Sequence, residues 1–137
     1  PILSFTTEEI FTLISKDNKS IHLEEFMEFP KSFENEQLNK KWIELKKIRD
    51  ICNISIEAKR ASKEIGSSLE TNLIISLNKN LIELIKNIDM AELCITSAAE
   101  IIETTNNETT AQTKKAEGEK CSVCWKITKN GCARHPN

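Results

Sequence analysis

Cys121 and Cys124 stand two residues apart in Cys121-Ser122-Val123-Cys124, with Trp125 next in line. Two thiolates at that spacing fit the tight knuckle that presents one edge of a tetrahedral zinc site. A second pair has to close it. Cys132 and His135 complete the pattern C-x2-C-x7-C-x2-H and are the candidates that remain before Asn137. The segment is rich in lysine, which points to a grip on nucleic acid rather than to catalysis.

Two closures stay open at this level. In one, Cys132 and His135 complete the site locally. In the other, the sequence breaks off before a second C-x-x-C, and Cys132 and His135 are bystanders. Seven residues between the pairs is short, since about a dozen or more usually separate them in zinc ribbons and fingers. Disulfide exchange is the other chemistry of C-x-x-C. It is disfavoured because no strand-to-helix start frames the motif and a further cysteine and histidine lie just downstream. Catalytic groupings are absent. There is no Gly-rich phosphate loop, the two histidines are far apart in sequence, and the carboxylates are scattered singly.

Charge is the second signal. The net charge is -2, but its distribution is uneven. Residues 1–37 carry three lysines against eight acids, and residues 38–63 carry eight basic residues against Glu44, Asp50 and Glu57. Residues 110–137 carry six basic residues against Glu117 and Glu119. Two basic regions on a near-neutral chain suit a local polyanion contact. Arg60 and Lys63 follow Ile56 by four and seven residues, on the face that begins as an apolar stripe. The competing explanation is that cations near a helix C-terminus complement its dipole.

The elements that must position these groups follow from periodicity and punctuation. Thr6 and Glu9 have capping-box spacing, so a helix is expected from Thr7 to about Ser15, packing Ile10, Phe11 and Ile14 inward. Residues 17–20 read as a polar turn, and 21–29 as extended or irregular, ended by Pro30. A long helix is expected from about Glu36 to Ile65, with Leu38, Trp42, Leu45, Cys52 and Ile56 on one buried stripe and Gly66 as its stop. Residues 72–78 read as a strand, Leu81 to Ile88 as a short helix, and Ala91 to Ser97 as a second strand continuing toward Ile102. Residues 111–116 are expected to form a third, edge strand before a turn at Gly118.

Composition sets the class. A chain of 137 residues with 39% hydrophobic content suits one modest core with an appendage. No apolar run reaches the roughly 18 residues of a membrane span, and no secretory signal is visible. Five cysteines, three of them in the last 17 residues, are not a disulfide framework. Cys52 and Cys94 sit in apolar surroundings and read as small core residues. A reducing cytoplasm fits best.

Several segments together resemble one family. They are Pro1-Ile2-Leu3-Ser4-Phe5-Thr6-Thr7-Glu8-Glu9, Ser20-Ile21-His22-Leu23 and Ile65-Gly66-Ser67-Ser68-Leu69-Glu70. Ala91-Glu92-Leu93-Cys94-Ile95-Thr96-Ser97 and Gly118-Glu119-Lys120-Cys121 through Cys124-Trp125-Lys126 complete the set. In this order they resemble the C-terminal portion of bacterial isoleucyl-tRNA synthetases, across the whole chain. The resemblance implies an α+β architecture in three parts: the last helices of an anticodon-binding helical bundle (1–70), a small α/β junction with a short sheet (71–117), and a zinc knuckle (118–137). It also implies a class I parent enzyme that uses ATP and Mg2+ in a catalytic domain elsewhere to join isoleucine to tRNA. The HIGH and KMSKS signatures of that domain do not occur here. In the family a second C-x-x-C usually follows shortly after a His-Pro pair. His135-Pro136 therefore favours a chain that stops short of that pair, and a knuckle lacking part of its ligand set.

The segment would then bind and position tRNA, with isoleucine isoacceptors and the remainder of the same polypeptide as its partners, in a monomeric cytoplasmic enzyme. Lys59, Arg60 and Lys63 would meet phosphates of the anticodon stem-loop, and Lys120, Lys126, Lys129 and Arg134 would extend that surface around the knuckle. Trp125 would either stack on an unpaired base or pack over the metal site. Two other functions compete: a free-standing zinc module for nucleic acid, and a helical protein-interaction adaptor.

Overall fold

The computed structural model describes residues 2–17 and 19–135. Pro1, Asn18, Pro136 and Asn137 lie outside the described residues, and with them one residue of the expected polar turn and the second member of the His-Pro pair. The described residues fall into two compact units, one up to Asn35 and one from Glu36.

The first unit is built on α1 (Ser4–Ile14) and two single 3-10 turns, Ile21–Leu23 and Lys31–Phe33. The helix begins before the expected capping box. Thr7 lies inside it and turns its hydroxyl back onto the Leu3 carbonyl at 2.8 Å, so Thr6 has no capping role. Glu8 carries the tertiary contact instead. Its carboxylate accepts from Ser20 Oγ at 2.9 Å and from the Ile21 amide at 3.0 Å, and His22 Nε2 donates to the Ser4 carbonyl at 3.2 Å. The expected inward packing of Ile10, Phe11 and Ile14 is not found. Nothing in α1 is buried, and Ile10 and Ile14 are exposed. The amphipathic pattern marks an apolar face, but 35 residues supply no layer to cover it.

The second unit holds the core. Helix α2 (Glu36–Ala61) buries Leu45, Ile48, Cys52 and Ile56 on one stripe. That stripe rests on a three-stranded mixed sheet. Strand β1 (Thr71–Leu77) is central and alternates buried with half-buried residues, the period of two expected of a strand covered on one face. Leu73, Ile75 and Leu77 form the covered row. Two short helices, α3 (Lys79–Ile85) and α4 (Met90–Cys94), make the crossover that a parallel partner requires, and β2 (Ala98–Glu103) then pairs parallel to β1. Strand β3 (Thr110–Lys115) pairs antiparallel on the other edge, with Leu73 opposite Thr113. A 2.8 Å bond between the Ser55 and Thr113 hydroxyls ties α2 to β3, and Arg49 Nε donates to the Leu93 carbonyl at 3.0 Å to tie it to the end of α4. Cys52 and Cys94 are both buried core residues.

Three expectations need correcting here. Leu38 and Trp42 are not core: Trp42 is 43% exposed, because the layer over α2 begins only at Leu45. Gly66 does not stop the helix. Lys63 takes the left-handed position at φ 61°, the Glu64 amide donates to the Lys59 carbonyl at 3.1 Å, and the Lys63 amide donates to Arg60 at 3.0 Å. These are the two bonds of a Schellman close, made without glycine. Finally, residues 90–94 are helical rather than extended. Asp89 Oδ1 accepts from the Ala91 and Glu92 amides at 2.9 and 3.1 Å, a cap that nucleates the turn. No helix among the described residues is long and apolar enough to cross a membrane.

Candidate metal centre and nucleic-acid interface

Beyond β3 the chain makes a small hairpin, β4 (Glu119–Lys120) with β5 (Ile127–Thr128), antiparallel. Gly118 admits it with φ 128°, where a Cβ would run into the Thr128 carbonyl. The tip of the hairpin is the Cys121–Cys124 turn. The Trp125 amide donates to the Cys121 carbonyl at 3.0 Å, and the Cys121 amide donates to Lys126 at 2.9 Å. Trp125 itself is left-handed at φ 64°. A second turn follows Gly131, in which the His135 amide donates to the Cys132 carbonyl at 3.2 Å.

The two turns face each other. The sulfurs of Cys121, Cys124 and Cys132 and a ring nitrogen of His135 all lie within 4.8 Å of one another, and this cluster could hold a metal ion. Cys124 and Cys132 sulfurs are 3.5 Å apart, and His135 Nδ1 lies 3.6 Å from the Cys121 sulfur and 3.5 Å from that of Cys132. A tetrahedron with metal–sulfur bonds of about 2.3 Å has edges of roughly 3.8 Å, so these three separations lie within a few tenths of an ångström of tetrahedral edges, while a pair as far apart as 4.8 Å would have to draw in around an ion.

The electrostatics suit a cation. Amides of Cys124 and Val123 point at the Cys121 sulfur and lower its thiol to about 6. Burial works against ionising Cys132, but the Arg134 amide and neighbouring groups win, and its thiol lies below the ordinary value. At Cys124 the Lys126 amide favours the thiolate, while burial and the two adjacent thiols outweigh it and raise the value. His135 is raised by Cys132 and Cys121.

The cations singled out from the sequence fall into two groups. At the end of α2, Lys59 pairs with Glu64 at 2.7 Å, Arg60 pairs with Glu57, and Lys63 is exposed with no ion pair among the described residues. Around the knuckle, Lys129 pairs with Glu117 at 2.8 Å. Lys126 and Arg134 share Glu92, at 2.5 and 3.1 Å. The Lys120 ammonium stands 5.7 Å above the Trp125 ring, which remains 59% exposed. The loop between α2 and β1 links the groups. Glu70 accepts the Gly66 amide at 2.9 Å, and its carboxyl is lowered first by that bond and then by the nearby Lys120 and Lys115 ammoniums.

Three participants went unseen in the sequence: Glu70, Glu92 and Ser97. The Ser97 hydroxyl donates to the Leu69 carbonyl at 2.5 Å and accepts the Ile127 amide at 2.7 Å, so it seats the knuckle against the sheet. No local pattern marks Glu92 and Ser97, since their partners lie roughly 30 to 40 residues away, and Glu70 bonds locally to Gly66 but meets Lys115 and Lys120 only through the fold.

The family model for the anticodon-binding domain of tRNA ligase matches residues 1–77, more than half of the chain. The chain belongs to this anticodon-binding family of tRNA ligases. Its relatives carry the match past that domain. The isoleucine–tRNA ligase of Pelagibacter ubique (strain HTCC1062) is 69% identical over 135 residues, 98% of this chain, which brings the knuckle into the alignment. Those of Agrobacterium fabrum and Bartonella henselae are 34% and 35% identical over 93% and 95% of the chain. The chain spans 15% of the Pelagibacter protein and 14% of the other two. The resemblance read from scattered segments and the membership of this anticodon-binding family agree.

Proposed function

We infer that this chain is the tRNA-facing end of an isoleucine–tRNA ligase, holding the anticodon stem-loop while a catalytic domain elsewhere in the same polypeptide uses ATP and Mg2+ to charge the acceptor end. The observation that carries this reading is the anticodon-binding match over residues 1–77, together with relatives that align through the knuckle. Those same relatives leave the free-standing zinc module and the helical adaptor without support. The protein acts as a monomer in the cytoplasm, on isoleucine isoacceptors.

The work of this segment is electrostatic positioning. Phosphate contacts fix register and carry most of the affinity without reading sequence. Lys63 meets a phosphate first, because it has no carboxylate to leave. Lys59 and Arg60 sit in exposed, solvent-screened pairs with Glu64 and Glu57, so exchanging a carboxylate for a phosphate costs little. Lys120 and Lys129 extend the surface. Lys126 and Arg134 contribute positive potential while their side chains stay on Glu92. Trp125 offers one ring face to an unpaired base, the other lying under Lys120.

Cys121, Cys124, Cys132 and His135 would hold a zinc ion, His135 through Nδ1, which faces the sulfurs. When bound, zinc supplies the cross-link that a hairpin this short lacks. Local closure is the reading that the four-donor geometry supports.

The test is binding of an isoleucine tRNA transcript across a salt series. Arg60→Ala and Lys63→Ala should each lower affinity and reduce the salt slope by roughly one unit, uniformly across isoacceptors. Unchanged affinity and slope in both variants would return these cations to the helix dipole. The chain alone should show no isoleucine-dependent ATP–pyrophosphate exchange, and a positive result would defeat the division of labour.

A further inference from the structure

Glu92 lies on α4, outside the knuckle, and one of its oxygens, Oε1, receives both Lys126 Nζ at 2.5 Å and Arg134 Nη2 at 3.1 Å. These two cations occupy equivalent places in the two halves of the metal cluster. Lys126 follows Cys124 by two residues, and its backbone amide donates to the Cys124 sulfur. Arg134 stands between Cys132 and His135, and its backbone amide donates to the Cys132 sulfur. Each residue therefore has its amide on a ligand sulfur and its side chain on the same carboxylate oxygen. The Lys126 carbonyl adds a bond to the amide of Cys121, a third ligand. The Lys126 side chain is only 19% exposed, while Glu92 keeps 41% of its side chain in solvent, so the ammonium is the sheltered partner of the pair.

We propose that Glu92 is a positioning residue for the metal centre: through Lys126 and Arg134 it holds the two ligand turns in register and fixes the amides that cap their sulfurs. The proposal rests on reading Cys121, Cys124, Cys132 and His135 as the zinc ligands. Amides aimed at a thiolate stabilise its charge and set its direction, and groups that orient metal ligands typically govern affinity by 10- to 100-fold. Without Glu92 the two turns share no carboxylate anchor among the described residues, and only the ligand side chains themselves still meet across the cluster. The anchor also lies on the α/β junction, so it fixes the knuckle to the sheet rather than only to itself.

Zinc affinity, measured on the full chain by competition with a chromophoric chelator, tests this. The variants are Glu92→Gln, Glu92→Ala, Lys126→Met and Arg134→Met. Glu83→Gln is the control, because that α3 carboxylate pairs with Lys86, just past the helix end and away from the cluster. Glu92→Gln and Glu92→Ala should weaken zinc binding about 10-fold or more, and Glu83→Gln should not. Arg134→Met should weaken it in the wild-type background and add little in Glu92→Ala, because the two act as a unit. The ligand-field bands of the Co2+ form should shift in the Glu92 variants, whereas the urea midpoint of the metal-free sheet should stay put. If Glu92→Ala fails to fold, Lys126→Met with Arg134→Met empties the same carboxylate from the knuckle side and should give the same loss. A wild-type chain that binds zinc and a Glu92→Gln chain that matches it would overturn the positioning role alone. A wild-type chain that takes up no zinc would defeat the ligand reading and this inference with it.

Discussion

Replacing Lys63 by glycine should make the protein more stable and its tRNA binding weaker. Lys63 closes α2 in the left-handed region at φ 61°, where its Cβ crowds the following carbonyl. That conformation costs a non-glycine residue about 1–2 kcal/mol. Glycine removes the clash, and both closing bonds, Glu64 to Lys59 and Lys63 to Arg60, are backbone bonds that survive the change. The greater freedom of glycine in the unfolded chain returns about 0.4–1 kcal/mol of this, so the net gain is about 0.5–1 kcal/mol. In a unit of this size, that raises the melting temperature by about 3–5 °C. The assay is thermal unfolding followed by helix circular dichroism, alongside tRNA binding in a salt series. Lys63→Ala is the partner variant: it removes the same charge and keeps the strained backbone. Both should lose about one unit of salt slope, and only Lys63→Gly should melt higher than the parent. A glycine variant that melts no higher than the alanine variant would refute the reasoning.

Three further outcomes follow from the geometry. Leu45→Ala, at a site 1% exposed, should cost about 2–5 kcal/mol in urea unfolding, whereas Trp42→Ala, deleting a larger side chain that is 43% exposed, should cost less. In chelator-treated protein, iodoacetamide should modify Cys121 with a rate that rises with pH and inflects near 6, since the thiolate is the nucleophile and the amides of Cys124 and Val123 stabilise it. Buried Cys52 and Cys94 should stay unmodified, and an inflection near 8.5 at Cys121 would contradict this. Gly118→Ala should open the β4–β5 hairpin, because φ 128° and the Thr128 carbonyl leave no room for a Cβ. The loss should appear in zinc affinity and in amide exchange at Ile127 and Thr128, with the three-stranded sheet unaffected.

The parts that were legible in the sequence are those whose signal is local. The apolar spacing of Leu45, Cys52 and Ile56 gave α2, and the alternation of residues 72–78 gave β1. The C-x-x-C spacing marked the tip of the knuckle. Periodicity reports which face of a helix is apolar but not whether anything lies over it, and Leu38, Trp42 and Ile14 went wrong for that reason. Residues 91–97 alternate like a strand, and only the Asp89 cap, two residues outside the pattern, turns their first part into α4. Lys63 occupies a position where glycine is the usual signal, so the pattern points to Gly66 as the helix end instead. Glu92 was invisible because its meaning depends on Lys126 and Arg134, more than 30 residues away.

The Ser97 hydroxyl has a consequence for the order in which the protein is built. Its two bonds reach Leu69 and Ile127, and the first partner is synthesised before it, the second long after. At about 5–20 residues per second, Ile127 leaves the ribosome roughly two to six seconds behind Ser97. Within that interval β1, β2 and then β3 are all available to pair, and Ser97 already holds the Leu69 carbonyl with an oxygen lone pair left over. The last hairpin thus emerges onto a surface whose acceptor is in place. Its amide at Ile127 meets that acceptor as soon as it is clear of the ribosome. Metal capture by Cys121, Cys124, Cys132 and His135 then takes place on a hairpin that the Ser97 bond already ties to the sheet.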